Sequence, residues 1–168
     1  MYDALRAIFR ALEGDEAAHA AKQELRLRCD AFFGTPYNFI LEFDGGQHFS
    51  TSRLQSLQMY PVGAPLGYNI NSYRMFCEQH RQAADEYRRN KRPDDFPFEG
   101  GRTAQRAYLD AVRDLLPPLY GLNPTVRISH FEVLDVQSND AIGQAIIREI
   151  LAARIANFTS ASSLETNT

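Results

Sequence analysis

The stretch Asn38-Phe-Ile-Leu-Glu42-Phe-Asp44-Gly-Gly-Gln47-His48-Phe49 decides how the rest of the chain is read. Phe39, Leu41 and Phe43 alternate with Ile40, Glu42 and Asp44, and aromatic and branched residues fit a pleated surface, so the first half reads as a strand. One face is wholly apolar. The other starts at Ile40 and ends in two carboxylates, roughly 6.5 Å apart along the strand if each residue advances about 3.3 Å. Gly45-Gly46 then turns the chain and delivers an amide and an imidazole. Acids, amide and imidazole converging at the end of a hydrophobic strand are what a metal-dependent hydrolytic site needs.

Working outward, Arg26 to Phe33 reads as a second strand, with Leu27, Cys29, Ala31 and Phe33 on one face and Arg26, Arg28 and Asp30 on the other. Gly34-Thr-Pro-Tyr37 turns it into the first, so the pair is expected to be an antiparallel hairpin. Opposed residues share a face, so matching the apolar faces requires paired residue numbers with an even sum and a loop of odd length. Phe33 opposite Phe39, across a five-residue loop, satisfies this. The same register sets Ala31 against Leu41, Cys29 against Phe43, Asp30 against Glu42 and Arg28 against Asp44. The β-carbons of Asp30 and Glu42 would then lie about 5 Å apart, close enough for both carboxylates to hold one divalent cation. Asp44 has a competing use as the ion-pair partner of Arg28.

The chain of 168 residues is long enough to bury a core without disulfide or metal staples, and its 44% hydrophobic and 11% aromatic content is that of a globular protein. No apolar run approaches a membrane span, and Arg6, Arg10, Glu13 and Asp15 interrupt the N-terminal apolar residues as no signal peptide would. The expectation is a cytoplasmic protein with no membrane association. Cys29 and Cys77 lack zinc-ligand spacing and read as buried thiols. A net charge of −3 argues against coating nucleic acid by bulk electrostatics but leaves room for a local basic groove. The only lysines are Lys22 and Lys91.

Around the hairpin, Tyr2 to Glu24 reads as a helix broken at Gly14-Asp15, with Leu5, Ile8, Phe9 and Leu12 as its stripe. Ser50 to Asn71 carries Pro61, Gly63, Pro65 and Gly67 with no sustained period, and reads as an ordered excursion or lid. Ser72 caps a helix running to about Asn90. Its basic end, Arg88-Arg-Asn-Lys-Arg92, either compensates the helix dipole or contacts phosphates. Pro93-Asp-Asp is turn chemistry in a loop reaching Gly101, and a helix follows from Arg102 to Leu116, ended by Pro117-Pro118. Thr125 to Val133 is a third strand, Ser138-Asn139-Asp140 caps a final helix to Ile155, and the tail beyond residue 158 is polar and expected to be disordered. His80 sits on an apolar stripe as a packed core residue, and His19 and His130 have no assigned role.

Arg26-Leu-Arg-Cys-Asp30 followed by Phe39-Ile-Leu-Glu42-Phe-Asp44-Gly-Gly-Gln47-His48-Phe49 resembles the D…E-x-D-G-x-Q-H block of small PD-(D/E)XK nucleases, in the branch akin to very-short-patch-repair endonucleases. Asp110-Ala-Val-Arg113 and Val126-Arg127-Ile128 stand where that family often shows D-x-x-K and L-R-I. The resemblance implies an α/β (α+β) fold with a mixed sheet: a restriction-endonuclease-like core of central hairpin and third strand flanked by helices. The resemblance is specific across Arg26 to Phe49, loose from Arg102 to Ile155 and absent between them; the expected single domain covers residues 1–158, with an insertion at about 53–101. The same resemblance implies an enzyme hydrolysing DNA phosphodiester bonds with Mg²⁺ or Mn²⁺ held by Asp30, Glu42 and the Phe43 carbonyl. Gln47 and His48 match positions facing the site, and a histidine there can exchange a proton with the attacking water or the phosphate. Asp44 replaces the lysine of the E-x-K element, so its charge must come from Arg113, Arg28, His48 or Lys91.

Two other readings compete. A nuclease fold without catalysis, serving as a binding or assembly module, accords with the acidic net charge, the missing lysine and the tyrosine-rich insertion, which offers a surface for a second copy or a protein partner. A plain α/β domain without a site would place Asp30 and Glu42 on opposite faces of the sheet.

Overall fold

The computed structural model describes residues 1–22, 27–133 and 141–162, the last six as backbone only. It is a mixed α/β fold around a three-stranded sheet in which β2 (Phe39–Asp44) is central. β1 (Ala31–Phe33) pairs with it antiparallel, Ala31 opposite Leu41 and Phe33 opposite Phe39. This is the register expected from matching apolar faces, and the rings of Phe33 and Phe39 stack 4.8 Å apart across it. On the other edge β3 (Val126–Ser129) runs parallel to β2, from Leu41 opposite Val126 to Asp44 opposite Ser129.

β1 is shorter than its alternation implies. Asp30 stands just outside the ladder, and its Oδ2 accepts the backbone N–H of Phe43 at 2.7 Å. A carboxylate has taken the donor that a strand carbonyl would otherwise use, so the expected pairs Asp30–Glu42, Cys29–Phe43 and Arg28–Asp44 do not form as ladder pairs. Cys29 is exposed, not a buried thiol. Arg26, expected to begin this strand, lies outside the described residues.

Both faces of β2 are covered. Phe39 and Leu41 pack with Val126 beneath Leu151 and Ile155 of the last helix, labelled α6 (Ala141–Ser162) below, whereas Phe43 at the strand end is 49% exposed. The opposite face, with Glu42 and Asp44, turns toward the helix α5 (Gly101–Leu115), where Asp110 and Asp114 meet Arg127 of β3. The larger apolar core lies among α1 (Tyr2–Ala11), α3 (Thr51–Gln58), α4 (Ile70–Glu86) and α5, through Ile8, Phe9, Leu57, Tyr73, Cys77, Ala107 and Leu115.

The first helix breaks as expected, and α2 (Glu16–Ala20) restarts after Asp15, whose Oδ1 accepts the N–H groups of Ala17 and Ala18. Residues 51–58 form α3 rather than a lid. Ser50 caps it through the N–H of Arg53, and its buried side carries Arg53 and Ser56 beside Leu54 and Leu57. A half-polar buried face erases the apolar period by which a helix is recognised. α4 is capped by Asn69, whose Oδ1 accepts the N–H groups of Asn71 and Ser72, so Ser72 lies inside the helix rather than at its cap. β3 stops at Ser129, which starts a short 3-10 turn over His130–Glu132. The expected cap Ser138-Asn139-Asp140 lies outside the described residues. No helix among the described residues is long and apolar enough to cross a membrane.

Candidate functional site

Six residues singled out from the sequence, Asp30, Glu42, Phe43, Gln47, His48 and Arg113, line one cavity of about 440 Å³. Lys91 does not reach it. β2 supplies Glu42 and Phe43, the 3-10 turn Gly46–His48 supplies Gln47 and His48, and α5 closes the far wall. A β-carbon at Gly45 would sit 2.7 Å from Oε1 of Gln47, so glycine there lets the Gln47 side chain fold back over the turn.

Asp44 lies beneath the cavity rather than in its wall. Its two oxygens both accept from Nη1 of Arg127, at 2.8 and 2.9 Å, so its ion-pair partner is Arg127 and not Arg28. Arg127 is 0% exposed and also donates through Nε to Oδ1 of Asp114 at 2.6 Å. The other oxygen of Asp114 accepts Nη2 of Arg53 at 2.8 Å and the hydroxyls of Tyr60 and Tyr68, each at 2.7 Å. Burial alone would push the Asp114 carboxyl up, but Arg127 and Arg53 outweigh it and hold the group below its ordinary range. This network fixes β2, β3, α3 and α5 to one another under the cavity floor.

His48 stands on that floor. Its Nδ1 is 2.8 Å from Oδ2 of Asp110 and 3.3 Å from Oδ1 of Asp44. Two carboxylates at one nitrogen require Nδ1 to carry the proton, which leaves Nε2 as the nitrogen free for cavity chemistry. Asp110 is fully buried; desolvation raises its carboxyl, but His48 and Arg127 bring it far below the ordinary range. It is thus an anion whenever the protein is folded near neutrality, and it fixes the imidazole tautomer as second carboxylates do beside catalytic and metal-bound histidines. Donor atoms of Asp44, His48 and Asp110 all lie within 4.8 Å of one another, so this trio could itself hold a metal ion. Arg127 already occupies oxygens of both acids, which favours the imidazole-holding role.

Glu42 supplies the unsatisfied group. It is 6% exposed, and its Oε1 has no hydrogen-bond donor among the described residues. Burial raises its pKa, opposed mainly by Arg113, whose Nε is 3.5 Å away. Arg113 is held in place by donating Nε to the carbonyl of Arg28 at 3.0 Å and by an ion pair with Asp110 at 3.4 Å. On the neighbouring wall, Oδ2 of Asp30 accepts the N–H of Phe43. The N–H and carbonyl of a strand residue point to the same edge. The Phe43 carbonyl therefore faces the Asp30 side, beyond Leu41, where the β1 ladder has ended. The wall of the cavity thus carries the carboxylates of Asp30 and Glu42 and the strand residue Phe43, and carboxylate and carbonyl oxygens are the ligand type Mg²⁺ and Mn²⁺ take.

Charge adds to this. Glu42, Asp44, Asp110 and Asp114 face the guanidiniums of Arg53, Arg113 and Arg127, and Asp30 adds a further acid at the cavity wall. Above this acidic floor the cavity is rimmed by Arg28, Arg102 and Arg106. An acidic floor under a basic rim suits a phosphate ester brought to a cation. Arg102 and Arg106 were not singled out from the sequence. Their signal was present, since Arg102, Arg106, Asp110 and Arg113 follow one another at helical spacing on one face of α5. His19 and Asp95, by contrast, lie away from the cavity, where Asp95 is buried against Lys22, His19 and Gln105 rather than serving as an open turn residue. Comparison with family models, curated proteins and solved structures finds no match to this chain.

Proposed function

We propose that the chain is a divalent-metal-dependent endonuclease of DNA, built on a restriction-endonuclease-like core. The observation that carries this reading is Oε1 of Glu42, buried without a hydrogen bond and only 3.5 Å from the Arg113 guanidinium, in a cavity that Asp30 also lines and whose rim is arginine. Asp30, Glu42 and the Phe43 carbonyl would hold Mg²⁺ or Mn²⁺. Such an ion, when bound, lowers the pKa of a water and neutralises charge on the transferring phosphate. Nε2 of His48 takes the proton from the attacking water, with Asp110 and Asp44 holding the ring in the necessary tautomer. Arg113 stands beside Glu42 as the cation that the absent lysine would otherwise provide, and it supports charge developing on the phosphate oxygens. Arg28 and Arg106 draw the anionic backbone to the rim.

The competing reading, a binding or assembly module without catalysis, is favoured by one observation: Arg113 already lies within ion-pair distance of the carboxylate that should receive the metal. Calorimetric titration with Mn²⁺ separates the two. The nuclease reading expects one site of micromolar affinity that Glu42→Ala abolishes. A protein that takes up no Mn²⁺, or takes it equally well as Glu42→Ala, contradicts it.

A further inference from the structure

At the rim of the cavity, toward the end of α4, three guanidiniums gather without an anion. Arg106 lies over the ring of Tyr87 with its central carbon 5.2 Å from the centroid, and Arg88 lies over the same ring at 5.4 Å. Arg102, one helical turn before Arg106, completes the group and lines the cavity with it. None of the three pairs with a carboxylate among the described residues. Arg106 donates to the carbonyl of Gln47 at 3.2 Å, and Arg102 to Oε1 of Gln105 at 2.7 Å. The Nε of Arg102 is buried with no hydrogen-bond partner among the described residues.

The basic run Arg88–Arg92 is therefore divided in its uses. Arg89 is consumed by Glu86 at 2.9 Å and Glu99 at 2.5 Å. Arg88 is not, and its placement is fixed by the backbone: it adopts φ +53, in the left-handed region that non-glycine residues seldom use. Hydrogen bonds on either side pin that turn, from the N–H of Gly100 to the Arg89 carbonyl at 2.8 Å and from Lys91 to the Arg88 carbonyl at 2.9 Å. Guanidiniums held close together repel one another, and an anion placed among them relieves that repulsion. Burial and the charges of Arg102 and Arg88 both press the Arg106 guanidinium toward its neutral form, relieved in part by Asp110 and Tyr87.

We propose that Arg88 and Arg106, both lying over Tyr87, form with the neighbouring Arg102 a second anion subsite that takes a backbone phosphate of the nucleic acid next to the one in the cavity. The identity of the polymer rests on the nuclease reading; the subsite itself rests on the uncompensated arginines. Tyr87 and Arg88 belong to the 53–101 insertion, so the insertion contributes to substrate grip and extends the bound length of the strand beyond the metal-proximal wall.

The test is equilibrium binding without cleavage. Fluorescence anisotropy of a short fluorescein-labelled DNA duplex is measured in EDTA across a salt series for the full chain and its variants. Each phosphate contact removed lowers the slope of log affinity against log salt by about 0.9. Arg88→Ala, at an exposed position, is expected to lower it by that amount and to weaken binding several-fold at low salt; Arg106→Ala is expected to do the same, with Arg106→Lys restoring the slope. Arg89→Ala, whose partner is already protein, is expected to leave the slope unchanged. Equal slopes for the parent protein and Arg88→Ala, an Arg89→Ala effect as large as that of Arg88→Ala, or no duplex binding by the parent protein overturns the subsite. Binding with the expected slopes but no cleavage in Mg²⁺ overturns the nuclease reading and leaves the subsite standing.

Discussion

His48 shows how one side chain is given a role by its neighbours. With Nδ1 committed to Asp110 and Asp44, only Nε2 can act, so Asp110→Asn is expected to lower plasmid cleavage about 10²–10⁴-fold, the usual range of general-base catalysis, with little change in DNA affinity. Asparagine can present its amide N–H to the ring, which reverses the tautomer. Cleavage unchanged by Asp110→Asn removes the positioning role. Glu42 makes a second residue-level prediction, through pH. Its carboxyl is raised by burial, so the folded state binds that proton more tightly than the unfolded chain does. The stability it contributes is largest below the unfolded pKa and declines as pH rises through the folded one. Glu42→Gln, which cannot ionise, is therefore expected to match the parent protein in acid and exceed it at pH 7 in metal-free buffer. A Tm rise of about 2–4 °C corresponds to about 1 kcal/mol for a chain of this size. A fall in Tm at pH 7 contradicts the assigned burial cost.

At the scale of elements, β2, β3, α3 and α5 are tied by one polar network in place of an apolar seam. Asp114→Asn leaves Arg53 and Arg127 buried and under-compensated, and breaking such a pair costs about 3–5 kcal/mol. Tyr60→Phe removes one hydrogen bond to that carboxylate and is expected to cost about 1.5–3 kcal/mol. Both are read by denaturant unfolding. Near-zero changes would show the network to be dispensable. Since Asp110 and Asp114 are held below their ordinary range, their stabilisation is present above the unfolded carboxylate pKa, about 3.9, and is lost as pH falls below it. The hairpin register was legible before the structure, because two alternating faces allow only an odd loop. The shortness of β1 was not, since alternation carries no sign that the Asp30 side chain would take the Phe43 N–H. α3 was hidden for a related reason: Arg53 and Ser56 lie on its buried side, and their partners come from distant parts of the chain.

At the scale of the molecule, residues 53–101, expected from the sequence to be an insertion, are woven into the protein. Of these, Leu57, Tyr73 and Cys77 share a core with Ile8 of α1 and Ala107 of α5, while Tyr60 and Tyr68 reach the Asp114 network. The tyrosines of this stretch looked like surface from their Pro- and Gly-rich context, and their burial depends on a carboxylate that local sequence does not reveal. The cavity residues were mostly legible, because Asp30, Glu42, Gln47 and His48 lie close together in the chain. What ties them to α5, Asp44 through Arg127 and His48 through Asp110, is a long-range pairing that appears only when the sheet closes. The central claim is that Asp30 and Glu42 form a metal site for phosphodiester hydrolysis. Incubation of supercoiled plasmid with Mg²⁺ and the parent protein, beside Asp30→Ala and Glu42→Ala, tests it most directly: nicking by the parent protein alone is expected, and equal nicking by all three, or by none, contradicts it.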